Sequence, residues 1–154
     1  MDRIEKVRAY VDSVLMHIPD TFERRCGYLH LYGVSQACTL IALKRGENAE
    51  LAAIAGMLHD IYAYSAMDTN EHAHKGADMA REILTSLQCF LSNEIDTICS
   101  AVYNHSCKEG KFSAFDEVLI DADVLQHCLY NPLFDIAGNR KQRYENLRTE
   151  FGLI

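Results

Sequence analysis

His59 and Asp60 stand side by side at the end of an apolar run, Leu51-Ala52-Ala53-Ile54-Ala55-Gly56-Met57-Leu58. Leu51, Ile54, Ala55 and Leu58 recur at the spacing of a buried helical face, and Asn48 is placed to cap that helix. An imidazole and a carboxylate delivered by such a face must meet a partner, because burying either one unpaired is costly and the carboxylate more so. A lone His-Asp doublet also reads as a core histidine bonded to a backbone carbonyl beside an exposed acid. The rest of the chain repeats the pattern, however. His30 lies one turn before Val34 on an apolar face, and His72 shares its side with Gly76 and Ile83. His105 ends the stripe Ile95, Ile98, Val102, and Asp121 and Asp123 interrupt a segment that is otherwise apolar. Five helices each sending imidazole or carboxylate inward exceed what hydrogen bonding alone requires. Such donors, without thiolate, suit one or two divalent transition metals: Fe, Mn, Co, Ni or Zn. Helical bundles commonly build such centres from facing helices.

The elements that must position these groups are all helical. Ile4, Val7, Val11, Val14, Leu15 and Ile18 mark a first amphipathic helix closed by Pro19. Asp20 with Glu23 has the form of a capping box, opening a second helix to about Lys44 with Gly46 as its stop. The helix ending in His59-Asp60 follows, and residues 62–69 read as a loop. Asp68 with Glu71 has the form of another capping box, for a helix through Leu84 on which His74 shares the exposed side with Asp78 and Arg81. Ser92 is placed to cap the helix of His105. Ser106 to Phe112 is a polar connection, and Ser113 with Asp116 opens a helix that stops near Asn131-Pro132. A last helix from about Asn139 stripes Tyr144, Leu147 and Phe151. No repeat, linker or strand pattern competes. The expectation is an all-α, single-domain helical bundle of about six or seven helices spanning residues 1–154.

Composition narrows the class. A chain of 154 residues with two prolines is long enough to bury a core. No leader and no apolar run near the length of a membrane span is evident, so a cytoplasmic location and no membrane partner are expected. The six cysteines form no Cys-x-x-Cys pair and read as reduced thiols rather than a disulfide framework. A formal charge of −7 argues against a surface that coats nucleic acid, while leaving room for a local basic pocket and for a homo-oligomer.

The ordered set His30, His59-Asp60 and Asp123, the last in the context Asp121-Ala122-Asp123, resembles the H…HD…D signature of the HD-domain metal-dependent phosphohydrolases over about residues 20–130. His72-Ala73-His74-Lys75-Gly76-Ala77 is similar to the H-x-x-x-G-A element of the two-metal branch, and Val102-Tyr103-Asn104-His105-Ser106 to its second added histidine. The resemblance implies that His30, His59, Asp60 and Asp123 hold one metal, with Asp60 bridging to a second held by His72 and His105. It also selects Asp123 over Asp121, which periodicity leaves open. The Gly-Tyr-Pro element of the cyclic-dinucleotide branch is missing, as are the long basic segments of the alarmone-handling relatives.

The implied reaction is hydrolysis of a small phosphorylated metabolite or nucleotide, with Asp60 central and Lys108, three residues after His105, the preferred phosphate-binding cation. Lys75, Lys111, Arg24 and Arg25 are weaker candidates for that task, and each also reads as an ordinary solvated cation. Tyr62 and Tyr64 are placed to roof the site or to pack in the core. Two rivals share the same ligands: a di-iron oxygenase of the HD type, and a non-catalytic metal- or ligand-binding module. The facial argument for His72 is testable without a substrate. His72→Ala should lower metal content per chain by about one ion in a two-metal protein, and His74→Ala should leave it unchanged, as read by elemental analysis.

Overall fold

In the computed structural model, which describes residues 2–107, 109–133 and 135–153, the chain forms eight helices and, among the described residues, no strand. They are α1 (Arg3–Met16), α2 (Thr21–Arg45), α3 (Ala49–Leu58), α4 (Ile61–Ala66), α5 (His72–Ser86), α6 (Ser92–Asn104), α7 (Ala114–Tyr130) and α8 (Gly138–Glu150). The expected all-α bundle is the fold observed: seven helices of ten residues or more, and the short α4. No described helix is long and apolar enough to cross a membrane.

The bundle is built around α3. Every residue from Leu51 to Leu58 is buried, as expected for a helix apolar on all sides. α2, the longest element, packs along α3 on one side and α7 on another, while α5 and α6 form a second pair beside it. Val7, Val11 and Leu15 of α1 and Leu147 of α8 complete the same core. The caps follow the local chemistry in four places. Asp2, Asp20, Asn48 and Ser113 each accept the backbone N–H three residues on, which opens α1, α2, α3 and α7. Gly46 ends α2 in the left-handed region at φ 74°, where a side chain would be strained.

Three local expectations are corrected. Residues 62–69 are not all loop: Ile61 is fully buried and Tyr64 packs on the core, so residues 61–66 coil into α4 before Met67 turns left-handed at φ 50°. Asp68 and Glu71 form no capping box. Asp68 instead accepts the Asn70 N–H at 2.9 Å, and Glu71 takes φ 52° ahead of a helix that begins at His72. Ser92 is the first residue of α6 rather than its cap. Glu94 reaches back to the Leu91 N–H at 2.8 Å and holds that end.

Two glycines set the spacing of the helices that carry the polar groups. A Cβ on Gly56 would lie 2.6 Å from Ser35 Cα, so α2 and α3 touch backbone to backbone, and the Ser35 hydroxyl donates to the Ala53 carbonyl at 2.8 Å across that contact. A Cβ on Gly76 would lie 3.3 Å from the His59 carbonyl oxygen, so α5 approaches the end of α3 almost as closely. Gly56→Ala should therefore lower stability by about 3 kcal/mol, the upper range for overpacking a core, because backbone rather than a movable side chain stands in the way. Chemical denaturation should show the loss as a lower midpoint.

Candidate metal centre

The chain breaks between α3 and α4 at His59 and Asp60, so a helix buried from Leu51 onward ends in an imidazole and a carboxylate at a corner. Around that corner α2 brings His30, α5 its first residue His72, α6 the residue after its last turn, His105, and α7 brings Asp123. All six groups singled out in the sequence converge. The Oδ2 oxygen of Asp60 lies 3.2 Å from His30 Nε2 and 3.3 Å from His59 Nε2. Its Oδ1 oxygen lies 3.2 Å from His105 Nε2 and 3.5 Å from His72 Nε2. Asp123 Oδ1 stands 3.8 Å from His30 Nε2 and 4.0 Å from His59 Nε2.

The far nitrogens of these rings explain why the near ones face inward. His59 Nδ1 donates to the Gly56 carbonyl at 2.7 Å, His105 Nδ1 to that of Val102 at 2.6 Å, and His72 Nδ1 to that of Thr69 at 3.0 Å. His30 Nδ1 donates to Gln126 Oε1 at 2.9 Å. Each Nδ1 proton is thereby committed, and each Nε2 lone pair is left pointing toward Asp60. Two such lone pairs, on His30 and His59, meet at 3.0 Å, a distance that requires a proton or a cation between them. Asp60 Oδ1 is buried and has no hydrogen-bond partner of adequate geometry. Converging lone pairs and an orphaned buried carboxylate oxygen are the chemistry of a metal site. Among the described residues three donor sets lie close enough to hold an ion: His30, His59 and Asp60; His30, Asp123 and His127; and Asp60, His72 and His105.

Burial works against a charged Asp60, but the imidazoles of His59, His105 and His30 overcome it and hold its carboxyl well below the usual carboxylate range. Burial pushes His59 down, which keeps it neutral and able to donate its lone pair. His30 is also pulled down by burial, yet Asp60 and Asp123 outweigh this and leave it raised.

Asp121 and Asp123 separate cleanly. Asp121 turns away from the centre and accepts from Arg45 at 2.8 Å and Arg143 at 2.7 Å, which ties α7 to α2 and α8. Among the described residues, three of the cationic candidates are placed away from the centre. Lys75 reaches Asp68 at 3.5 Å and lies over the Tyr62 ring, Arg25 lies over Phe22, and Lys111 is exposed. Lys108 lies outside the described residues. Of the two tyrosines, Tyr62 donates to Asp68 at 3.3 Å, whereas Tyr64 lines a cavity of about 320 Å³ that opens onto His30 and Asp60. Sequence reasoning missed Cys26, Leu29 and Tyr130 of that cavity wall and also its two polar members, Gln126 and His127. His127 Nδ1 donates to the Asp123 carbonyl at 2.9 Å, and its ring lies edge-on to His30 with centroids 4.9 Å apart. The available signal for Gln126 and His127 was their position three and four residues past Asp123, on the same helical face.

The HD-domain family model matches residues 27–128, a span that contains all six converging groups. The chain belongs to the HD-domain family. Its fold is shared with the crystal structure of a predicted HD superfamily hydrolase from an uncultured Thermotogales bacterium, 21 % identical, with a TM-score of 0.64 over 97 % of this chain and 88 % of that one. No curated protein matches the chain.

The two aspartates of α7 make an internal comparison. Asp123→Ala should reduce bound metal with little change in helicity. Asp121→Ala should retain metal and cost about 2 kcal/mol of stability, less than the ~3–5 of a fully buried broken pair, because Arg45 keeps Glu150 and Arg143 keeps Glu117. Elemental analysis with thermal unfolding reads both.

Proposed function

We propose that this HD-domain protein is a metal-dependent phosphohydrolase acting on a small phosphorylated metabolite or nucleotide. The observation that carries the reading is the division of Asp60: one carboxylate oxygen faces His30 and His59, and the other faces His72 and His105. In this reading His30, His59, Asp60 and Asp123 are ligands of one divalent metal, and Asp60, His72 and His105 of a second. The metals, when bound, would supply a water acidified toward neutral pH and positive charge for phosphoryl oxygens.

The chain's own residues supply the rest. Asp60 sets the separation of the two positions, and the carbonyls of Gly56, Val102 and Thr69 keep three imidazoles in the donating tautomer. Gln126 does the same for His30 and so links the cavity wall to a ligand. The cavity bounded by Leu29, Tyr64, Gln126 and Tyr130 receives the part of the substrate that does not react. Lys108, from the segment after His105, is assigned the remaining phosphate oxygens. The reading treats residues 1–154 as one domain, since α1 and α8 contribute to the same core as the matched segment, and places it in the cytoplasm.

One observation favours a second reading on the same ligands, a di-iron oxygenase: none of the described residues lining the cavity is Lys or Arg. Metal analysis of protein purified without chelator, followed by a panel of phosphate esters and by oxygen-uptake measurement with iron bound, separates the two. Asp60→Ala should lower phosphate release at least about a hundredfold, the scale of losing a key electrostatic group. Metal per chain should fall with it while helical circular dichroism stays near wild type. Full phosphatase activity in Asp60→Ala would overturn the shared-carboxylate mechanism, and oxygen consumption without any phosphate release would establish the oxygenase.

A further inference from the structure

The solvent faces of α2 and α7 are unlike the rest of the surface. Residues 26–43 contain no Asp, Glu, Lys or Arg, and neither do residues 124–133. One side of each segment is spent on the core, through Leu31, Val34, Cys38 and Ile41 of α2 and Val124, Leu125 and Cys128 of α7. The other side is apolar as well. Leu29, Leu40 and Leu43 on α2 are 47, 51 and 68 % exposed, and Leu129 and Tyr130 on α7 are 59 and 53 % exposed. They are not scattered. Gly33, Ala37 and Leu40 line one groove with Leu125, Leu129 and Tyr130, and Leu43 lies one turn beyond Leu40.

We propose that this α2–α7 face is a two-fold interface between two copies of the chain. The five residues expose on the order of 500 Å², mostly apolar, toward the upper end of the ~300–600 Å² of the largest patch on a typical monomer. A standard interface removes ~800 Å² per partner, about 65 % of it apolar in homodimers, which is roughly 520 Å². The patch therefore has the apolar content that one half of a homodimer interface needs. A face without charges is complementary to itself and to no charged partner, and an isologous contact requires that self-complementarity. The formal charge of −7 disfavours an anionic membrane as the occupant.

The interface also reaches the metal centre's cavity. Gln126 and Tyr130 line both the groove and the cavity beside His30 and Asp60. The second copy therefore sits at the rim of that cavity and shields one side of its mouth from water. This inference does not depend on which reaction the centre performs.

Light scattering coupled to size exclusion tests it on the whole chain. Wild type should have twice the 17.5 kDa chain mass at micromolar concentration. Leu40→Glu and, separately, Leu129→Glu place like charges against the apolar partner face, and each should weaken association at least about a hundredfold and give the single-chain mass. Both side chains are half-exposed and neither lines the metal cavity, so helical circular dichroism and metal content should match wild type. A wild type of single-chain mass at every concentration would overturn the proposal. A dimer that survives both substitutions would overturn it equally. Should one variant fail to fold, the other with Leu43→Glu carries the same test.

Discussion

The structure depends on one carboxylate placed where four imidazoles can reach it. Asp60 is largely buried, and burial alone would drive it to accept a proton. It stays ionised because the imidazoles of His59, His105 and His30 crowd it, and lone pairs converging on a carboxylate call for a proton or a cation between them. Each partner is individually unfavourable in an apolar core. Together they form a donor set that a bound cation would satisfy, which is the condition under which a buried polar network can exist.

Much of the remaining architecture serves to bring those five groups within reach. The backbone contact at Gly56 and Ser35 fixes His30 against His59, and the near-contact at Gly76 brings the first turn of α5 against the end of α3. At the far side, the buried Asp116 carboxylate accepts from Ser100 at 3.0 Å and Asn104 at 2.9 Å, so the start of α7 grips the last turn of α6, directly before His105. Arg45 and Arg143 share Asp121 on the opposite face of α7 and hold that helix with Asp123 turned inward. Three helix termini and two helix interiors supply the centre. Rigid elements rather than loops therefore set its geometry.

The periphery of the centre is built from different groups. Among the described residues, the cavity beside His30 is walled by tyrosine, leucine, thiol, amide, imidazole and the Asp60 carboxylate, with no Lys or Arg, and it opens beside a charge-free apolar surface. Under the proposed function, such surroundings would favour contacts through shape and apolar area for the part of the substrate that does not react.

The helices, their caps at Asp20, Asn48 and Ser113, and the inward direction of His30, His59, His72 and His105 were legible in the sequence, because period and capping are local properties of the chain. The HD signature was legible because its order along the chain survives whatever the folding does. The short α4 was not, since burial of Ile61 and Tyr64 against other helices, not propensity, makes residues 61–66 coil. The choice between Asp121 and Asp123 was open to periodicity because the two lie only two residues apart in an apolar segment. Arg45 and Arg143, 76 and 22 residues distant, settle which way each one turns. Gln126 and His127 gained their places only when α7 was set against α2, since a side chain's partners across a bundle depend on how two helices pack. The sequence by itself determined that four imidazoles would face inward. Tertiary packing decided which of them meet, because distances between residues far apart in the chain are set by the contacts of whole helices and not by any local rule.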